Sequence, residues 1–134
     1  MKVLLDTHIA VWSLLDIGEL SQKARKLILD PSNSIYYSPV STWEVHLKHR
    51  RHPENMEMDA ADFSDYCQKT GFIPLNLCDK HVAEVVTLLR ADNAPEHKDP
   101  FDRLLLAQAK AENIMFLTHD SKMIFYNEPC VICV

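Results

Sequence analysis

Lys2-Val3-Leu4-Leu5-Asp6-Thr7-His8 sets the architecture of this chain. Its apolar residues run continuously instead of alternating with polar ones. A short continuous run predicts a strand over Lys2 to Asp6 that is buried on both faces, as in a parallel sheet covered by helices. Ile9, Val11, Trp12, Leu14 and Leu15 follow at helical spacing, so strand passes to helix within three residues. For Trp12, Leu14 and Leu15 the default destination is the core, with a subunit interface as the alternative.

The same alternation continues along the chain. Ser21 caps a helix whose apolar stripe is Ala24, Leu27 and Ile28, ending before Pro31. Ile35 to Tyr37 is β-type, and Ser41 opens a helix with Trp43, Val45 and Leu47. After a loop from Pro53 to Met58, Asp59 caps a helix through Phe63, Tyr66 and Cys67, stopped near Gly71. Phe72 to Leu77 reads as a strand, and Asp79 caps a helix through Leu89. Asp92 to Lys98 is loop. Asp99 caps a helix with Pro100 at its first position, where a missing N–H costs nothing. Met115 to Thr118 is a strand, Ser121 to Tyr126 a short helix, and Val131 to Val134 an edge strand. Strands alternating with helices predict an α/β fold, a three-layer α/β/α sandwich around a central, mostly parallel sheet.

Composition bounds the answer. With 134 residues, 47% hydrophobic and 25% charged, the chain suits one domain over residues 1–134 with a normal core. No apolar stretch approaches the roughly 20 residues needed to cross a bilayer. Asp6 and His8 interrupt what would be the apolar centre of a signal peptide. The expected compartment is the cytoplasm, with no membrane partner. The net charge of −5 argues against a broad electrostatic footprint on nucleic acid. One basic patch, His46 to His52, could grip a short run of phosphates. Read structurally, it is the solvated last turn of a helix, where cations complement the dipole.

Within that frame, four acids stand out. Asp6 and Asp120 close strand candidates, whereas Glu44 and Asp102 lie near helix starts. Strand C-termini and helix N-termini meet at one rim of an open α/β sheet, where ligands bind. Each acid also has a purely structural reading. Ser41-x-x-Glu44 is a capping box, Asp102 favours the positive end of a helix dipole, and Asp6 and Asp120 can be simple caps. Clustering changes the balance. Two carboxylates 4 Å apart repel by about 4 kcal/mol at an effective dielectric of 20. Three or four together need a cation, and oxygen-only donors suit Mg²⁺ or Mn²⁺. Such an ion activates water and stabilises charge on both the attacking and leaving oxygens of a phosphodiester.

Leu4-Leu5-Asp6-Thr7-His8, Ser41-Thr42-Trp43-Glu44 with Lys48 one turn on, Asp99-Pro100-Phe101-Asp102-Arg103 with its following Leu-Leu-Leu-Ala-Gln-Ala, and Leu117-Thr118-His119-Asp120 occur in this order. Together they resemble the PIN-domain family, in its branch of small VapC-type toxins, from Met1 to about Tyr126. The resemblance implies a Mg²⁺- or Mn²⁺-dependent ribonuclease, RNA as substrate, a cognate antitoxin protein, and homodimers. It carries the catalytic and metal-binding acids onto Asp6, Glu44, Asp102 and Asp120, with Asp99 as a neighbouring ligand or cap. Lys48, Arg103 and Thr118 are candidate substrate contacts, and the Thr118 hydroxyl is also placed to steady the site. The segment after Glu44 departs from the family's usual glycine turn, reading Arg50-Arg51-His52-Pro53-Glu54-Asn55. No role transfers to His119.

Other chemistries fit less well. A dehalogenase-like phosphotransferase requires a second acid two residues after the first, where this chain has His8. A receiver domain usually carries an acidic pair that is missing before Asp6. Cys130 and Cys133 have the spacing of half a zinc site, but Val131 and Ile132 between them favour an apolar strand, and reduced thiols are expected. The main non-enzymatic alternative is a PIN-like interaction module with a structural cation or none.

Overall fold

A computed structural model describes residues 1–15 and 18–134. Strand β1 (Lys2–Leu5) is central. It pairs on one side with β2 (Ser34–Tyr37) and on the other with β4 (Met115–Thr118). The edges are β3 (Ile73–Pro74) beside β2 and β5 (Val131–Cys133) beside β4, giving the order β3-β2-β1-β4-β5. All four pairings are parallel, including the C-terminal edge strand. Val3, Leu4 and Leu5 are fully buried, as the continuous apolar run requires.

Helices cover both faces. On one side Val3 and Leu5 share a core with Ile9 and Val11 of α1 (Thr7–Leu15) and Phe63 and Cys67 of α4 (Ala60–Thr70). Ala24 of α2 (Gln22–Leu29) joins it. On the other side Leu4 and Phe116 pack against Leu105, Leu106 and Ala109 of α6 (Pro100–Glu112). That central strand therefore holds both cores at once, and Leu4→Ala is expected to cost about 3 kcal/mol. Trp12 and Leu14 pack on the first core, while Leu15 is exposed.

Several boundaries follow local chemistry. Ser21, Asp59 and Asp99 accept backbone amides as N-caps, and Gly71 ends α4 in the left-handed region at φ 95°. Helix α3 (Pro39–Arg51) begins earlier than expected. Its cap is Ser38, with Pro39 at the first position, which leaves Ser41 inside the first turn and Glu44 beyond it. The capping box expected of Ser41 and Glu44 is therefore not formed. Helix α5 (Asp79–Glu84) starts after Cys78 instead of using Asp79 as its cap. It tightens to a 3₁₀ turn at Val85–Thr87 and stops before Leu89, where Thr87 returns its hydroxyl to the Glu84 carbonyl at 2.8 Å. The strand expected over Phe72 to Leu77 shrinks to two residues. Pro74 has no N–H to donate, which is tolerable only at a sheet edge.

The basic patch forms the last turns of α3 and its cap, His52. All four cysteines are free thiols, with Cys133 on β5. Among the described residues no helix is long and apolar enough to cross a membrane.

Candidate functional site

The C-terminal ends of β1 and β4 lie side by side, with Leu5 opposite Leu117. Parallel pairing therefore places Asp6 and the Thr118-His119-Asp120 segment at one rim. Helix α3 is brought to the same rim by a buried clasp: Ser38 Oγ donates to Gln108 Oε1 of α6 at 2.5 Å. Thr7 Oγ1 donates to Ser41 Oγ at 2.9 Å, tying α1 to α3. These contacts fix the start of α3 against the start of α1 and against the interior of α6.

Asp6, Asp99, Asp102 and Asp120 line one cavity of about 320 Å³ together with His8 and His119. Glu44, Lys48 and Asp99 line an adjoining one of about 260 Å³. All five predicted acids thus meet at this rim. Lys48 belongs to it, whereas Arg103, half-buried on α6, lines neither cavity. Thr118, expected to contact substrate, is fully buried. Its hydroxyl donates to Asp6 Oδ2 at 2.5 Å and accepts the Asp120 amide at 3.0 Å. The hydroxyl is thus engaged by Asp6 and the Asp120 amide inside the core.

The acids differ in how their charge is met. Asp6 is 2% exposed. Its Oδ1 accepts the Ile9 amide at 3.0 Å, and His119 Nδ1 lies 3.7 Å from Oδ2. Burial pushes its carboxyl up, but His119, the Ile9 amide and Thr118 more than offset this and hold it below the usual range. Pairing with Asp6 raises His119 in turn. Asp99 Oδ1 caps α6 through the Phe101 and Asp102 amides at 2.9 and 3.3 Å. Asp120 Oδ1 accepts the Lys122 amide at 2.9 Å.

Asp102 is the opposite case. Burial, then the charges of Asp99, Asp6, Glu44 and Asp120, push its carboxyl up to about 8. Glu44 is 2% exposed, and its Oε2 meets Lys48 Nζ at 2.7 Å. Its Oε1 is buried with no hydrogen-bond partner. An orphaned carboxylate oxygen beside a carboxyl raised by like charges is an environment short of positive charge. The acids themselves offer only oxygen donors, which fits a hard divalent ion.

A further residue of this rim carries no motif in the sequence. His97, in the loop before α6, has a side chain only 3% exposed and faces Asp102 and Asp120. A loop histidine leaves no periodic signal; its place two residues before Asp99 was the sole hint.

Residues 3–127 match the PIN domain, and the chain belongs to the PIN-domain family. A search of curated proteins found no match. Among solved structures, the fold is similar to a chain in VapBC2 from Rickettsia felis bound to a DNA fragment from its promoter. That pair is 18% identical with a TM-score of 0.68, covering 100% of this chain and 98% of the other. A toxin–antitoxin complex from Klebsiella pneumoniae gives 21% identity and a TM-score of 0.60, covering 97% and 95%. FitAcB from Neisseria gonorrhoeae gives 16% and 0.55, covering 97% and 96%. At these identities the likeness establishes the α/β/α fold.

Proposed function

We propose that residues 1–134 form one PIN domain that acts as a divalent-metal-dependent endoribonuclease, the toxin of a toxin–antitoxin pair in the cytoplasm. The single observation carrying this reading is the convergence of five acids on one rim, with Glu44 Oε1 left buried and unpartnered. Asp6, Glu44, Asp102 and Asp120 would hold Mg²⁺ or Mn²⁺, with Asp99 beside them. When bound, such an ion lowers the pKa of water and offsets charge on the attacking and leaving oxygens of an in-line displacement at phosphorus.

The chain's own residues prepare that chemistry. The Ile9 amide and Thr118 hydroxyl fix both oxygens of Asp6. Lys48 bridges Glu44 at 2.7 Å and His8 at 3.4 Å, which puts an ammonium at the edge of the site for a neighbouring phosphate. Toxin–antitoxin complexes among the structures of similar fold support an antitoxin partner, and the family resemblance supports a homodimer.

The test is cleavage of RNA by chain purified free of contaminating ribonuclease. Cleavage should require Mg²⁺ or Mn²⁺, stop with EDTA, and be lost in Asp102→Asn. Cleavage that survives either treatment contradicts the reading. Metal binding without any cleavage favours the non-catalytic interaction module. Co-expression with the protein encoded in the adjacent reading frame should restore growth if that protein is the antitoxin. Size-exclusion chromatography with light scattering reads the homodimer.

A further inference from the structure

The loop over residues 92–98 places one imidazole against the inner wall of the acid cavity. The His97 ring is fixed from behind. Its Nδ1 pairs with the Tyr126 hydroxyl at 2.8 Å, and the two rings meet edge-on at 5.7 Å. Arg90 covers the Tyr126 ring at 4.6 Å and donates to the Pro95 carbonyl, holding the loop to the 3₁₀ turn at Ser121–Tyr126.

The other ring nitrogen, Nε2, is buried with no hydrogen-bond partner. It lies 3.4 Å from Asp120 Oδ2 and 3.6 Å from Asp102 Oδ2. One donor atom from each of the three residues falls within 4.8 Å of the other two. In the tautomer that donates Nδ1–H to the Tyr126 hydroxyl, Nε2 is left with a lone pair beside Asp102 Oδ2 and Asp120 Oδ2. Donors sharing one ion at bond lengths of about 2.1 Å stand about 3.0 to 3.4 Å apart in octahedral or tetrahedral arrangements. The separations from Nε2 are close to that range. A hydrogen bond on the remaining ring nitrogen is also the usual support for a metal-binding histidine.

We propose that His97, Asp102 and Asp120 form a mixed nitrogen–oxygen site that takes a first-row transition-metal ion in preference to Mg²⁺. The proposal rests on the divalent-metal reading above and goes further by naming a nitrogen ligand and an ion class. Imidazole strengthens binding of transition ions, whereas Mg²⁺ favours oxygen donors and keeps its waters.

Mn²⁺ added alone to the full chain is the probe, read by pulsed electron paramagnetic resonance. The unmodified chain should show coupling to a directly bound ¹⁴N nucleus, changing to the ¹⁵N pattern when histidine is ¹⁵N-labelled; this readout needs no substitution. The coupling should vanish in His97→Gln and persist in His119→Gln and Tyr126→Phe. By calorimetry, His97→Gln should weaken Mn²⁺ at least about tenfold, the scale seen even for lost outer partners, and weaken Mg²⁺ less. Mn²⁺ bound without nitrogen coupling overturns the site but leaves the divalent-metal reading standing. Coupling that survives in His97→Gln and disappears in His119→Gln does the same. If no divalent ion binds at all, both fall.

Discussion

At the end of β1, Asp6 sits among donors: a backbone amide, a threonine hydroxyl and a histidine. In the first turn of α6, Asp102 sits among carboxylates, and the nearest nitrogen shown, His97 Nε2, is 3.6 Å away. Both acids line the same cavity. The fold itself stabilises the charge on Asp6, so that carboxylate is ready before any ligand arrives. Charge on Asp102 is opposed by the fold and needs an external cation. One side of the site is preorganised and the other is poised for it, a stability cost of the kind found at functional sites.

Removing either acid should have the largest effect. Asp6→Asn and Asp102→Asn are each expected to lower metal-dependent RNA cleavage by at least ~100-fold, the upper scale for disturbing a metal's surroundings. Their stabilities should diverge, because Asp102→Asn removes an opposed charge and Asp6→Asn removes a supported one. In EDTA at pH 8, thermal melting should rise for Asp102→Asn and fall for Asp6→Asn. Equal shifts would break the contrast.

The pH dependence separates the two further. A carboxyl raised from 3.8 to about 8 favours folding fully below its unfolded value, and that advantage is lost as pH rises through about 8. Asp6, held low, contributes stability above its unfolded value and loses it as pH falls. Denaturant titrations in EDTA should therefore show the parent less stable at pH 8 than at pH 5, by a few kcal/mol at most. Asp102→Asn should flatten that slope.

Metal should reverse the penalty. Mn²⁺ at 100 times its dissociation constant is expected to add about 2.7 kcal/mol to the parent, several degrees in melting temperature. Asp102→Asn should gain less. The smallest effect is expected from Thr118→Val, which deletes a buried hydrogen bond to Asp6 at similar volume and should cost about 1–3 kcal/mol. A change within ±0.5 kcal/mol would show that the Asp6 side is less dependent on its donors than argued.

The sheet was legible because β1 announces itself: an uninterrupted apolar run can be buried only between two helical layers. Caps at Ser21, Asp59 and Asp99 were legible for the same local reason, a short polar acceptor before a helical stripe. The start of α3 was not, since Ser41-x-x-Glu44 imitates a capping box while Ser38-Pro39 actually opens the helix. That error hid how exceptional Glu44 is, buried past the first turn and not capping its helix. Asp6 and Asp120 could be read from strand ends, and Glu44 and Asp102 from helix starts, but the Asp6–Asp102 asymmetry could not, because it arises from tertiary donors such as Thr118. His97 lay in an aperiodic loop, and only folding turns it toward Asp102 and Asp120.

The most direct measurement is anomalous diffraction from crystals grown with Mn²⁺. A manganese peak is expected within coordination distance of oxygens from Asp6, Glu44, Asp102 and Asp120. A map that shows no ion there, with those oxygens left apart in the same crystal, would contradict it.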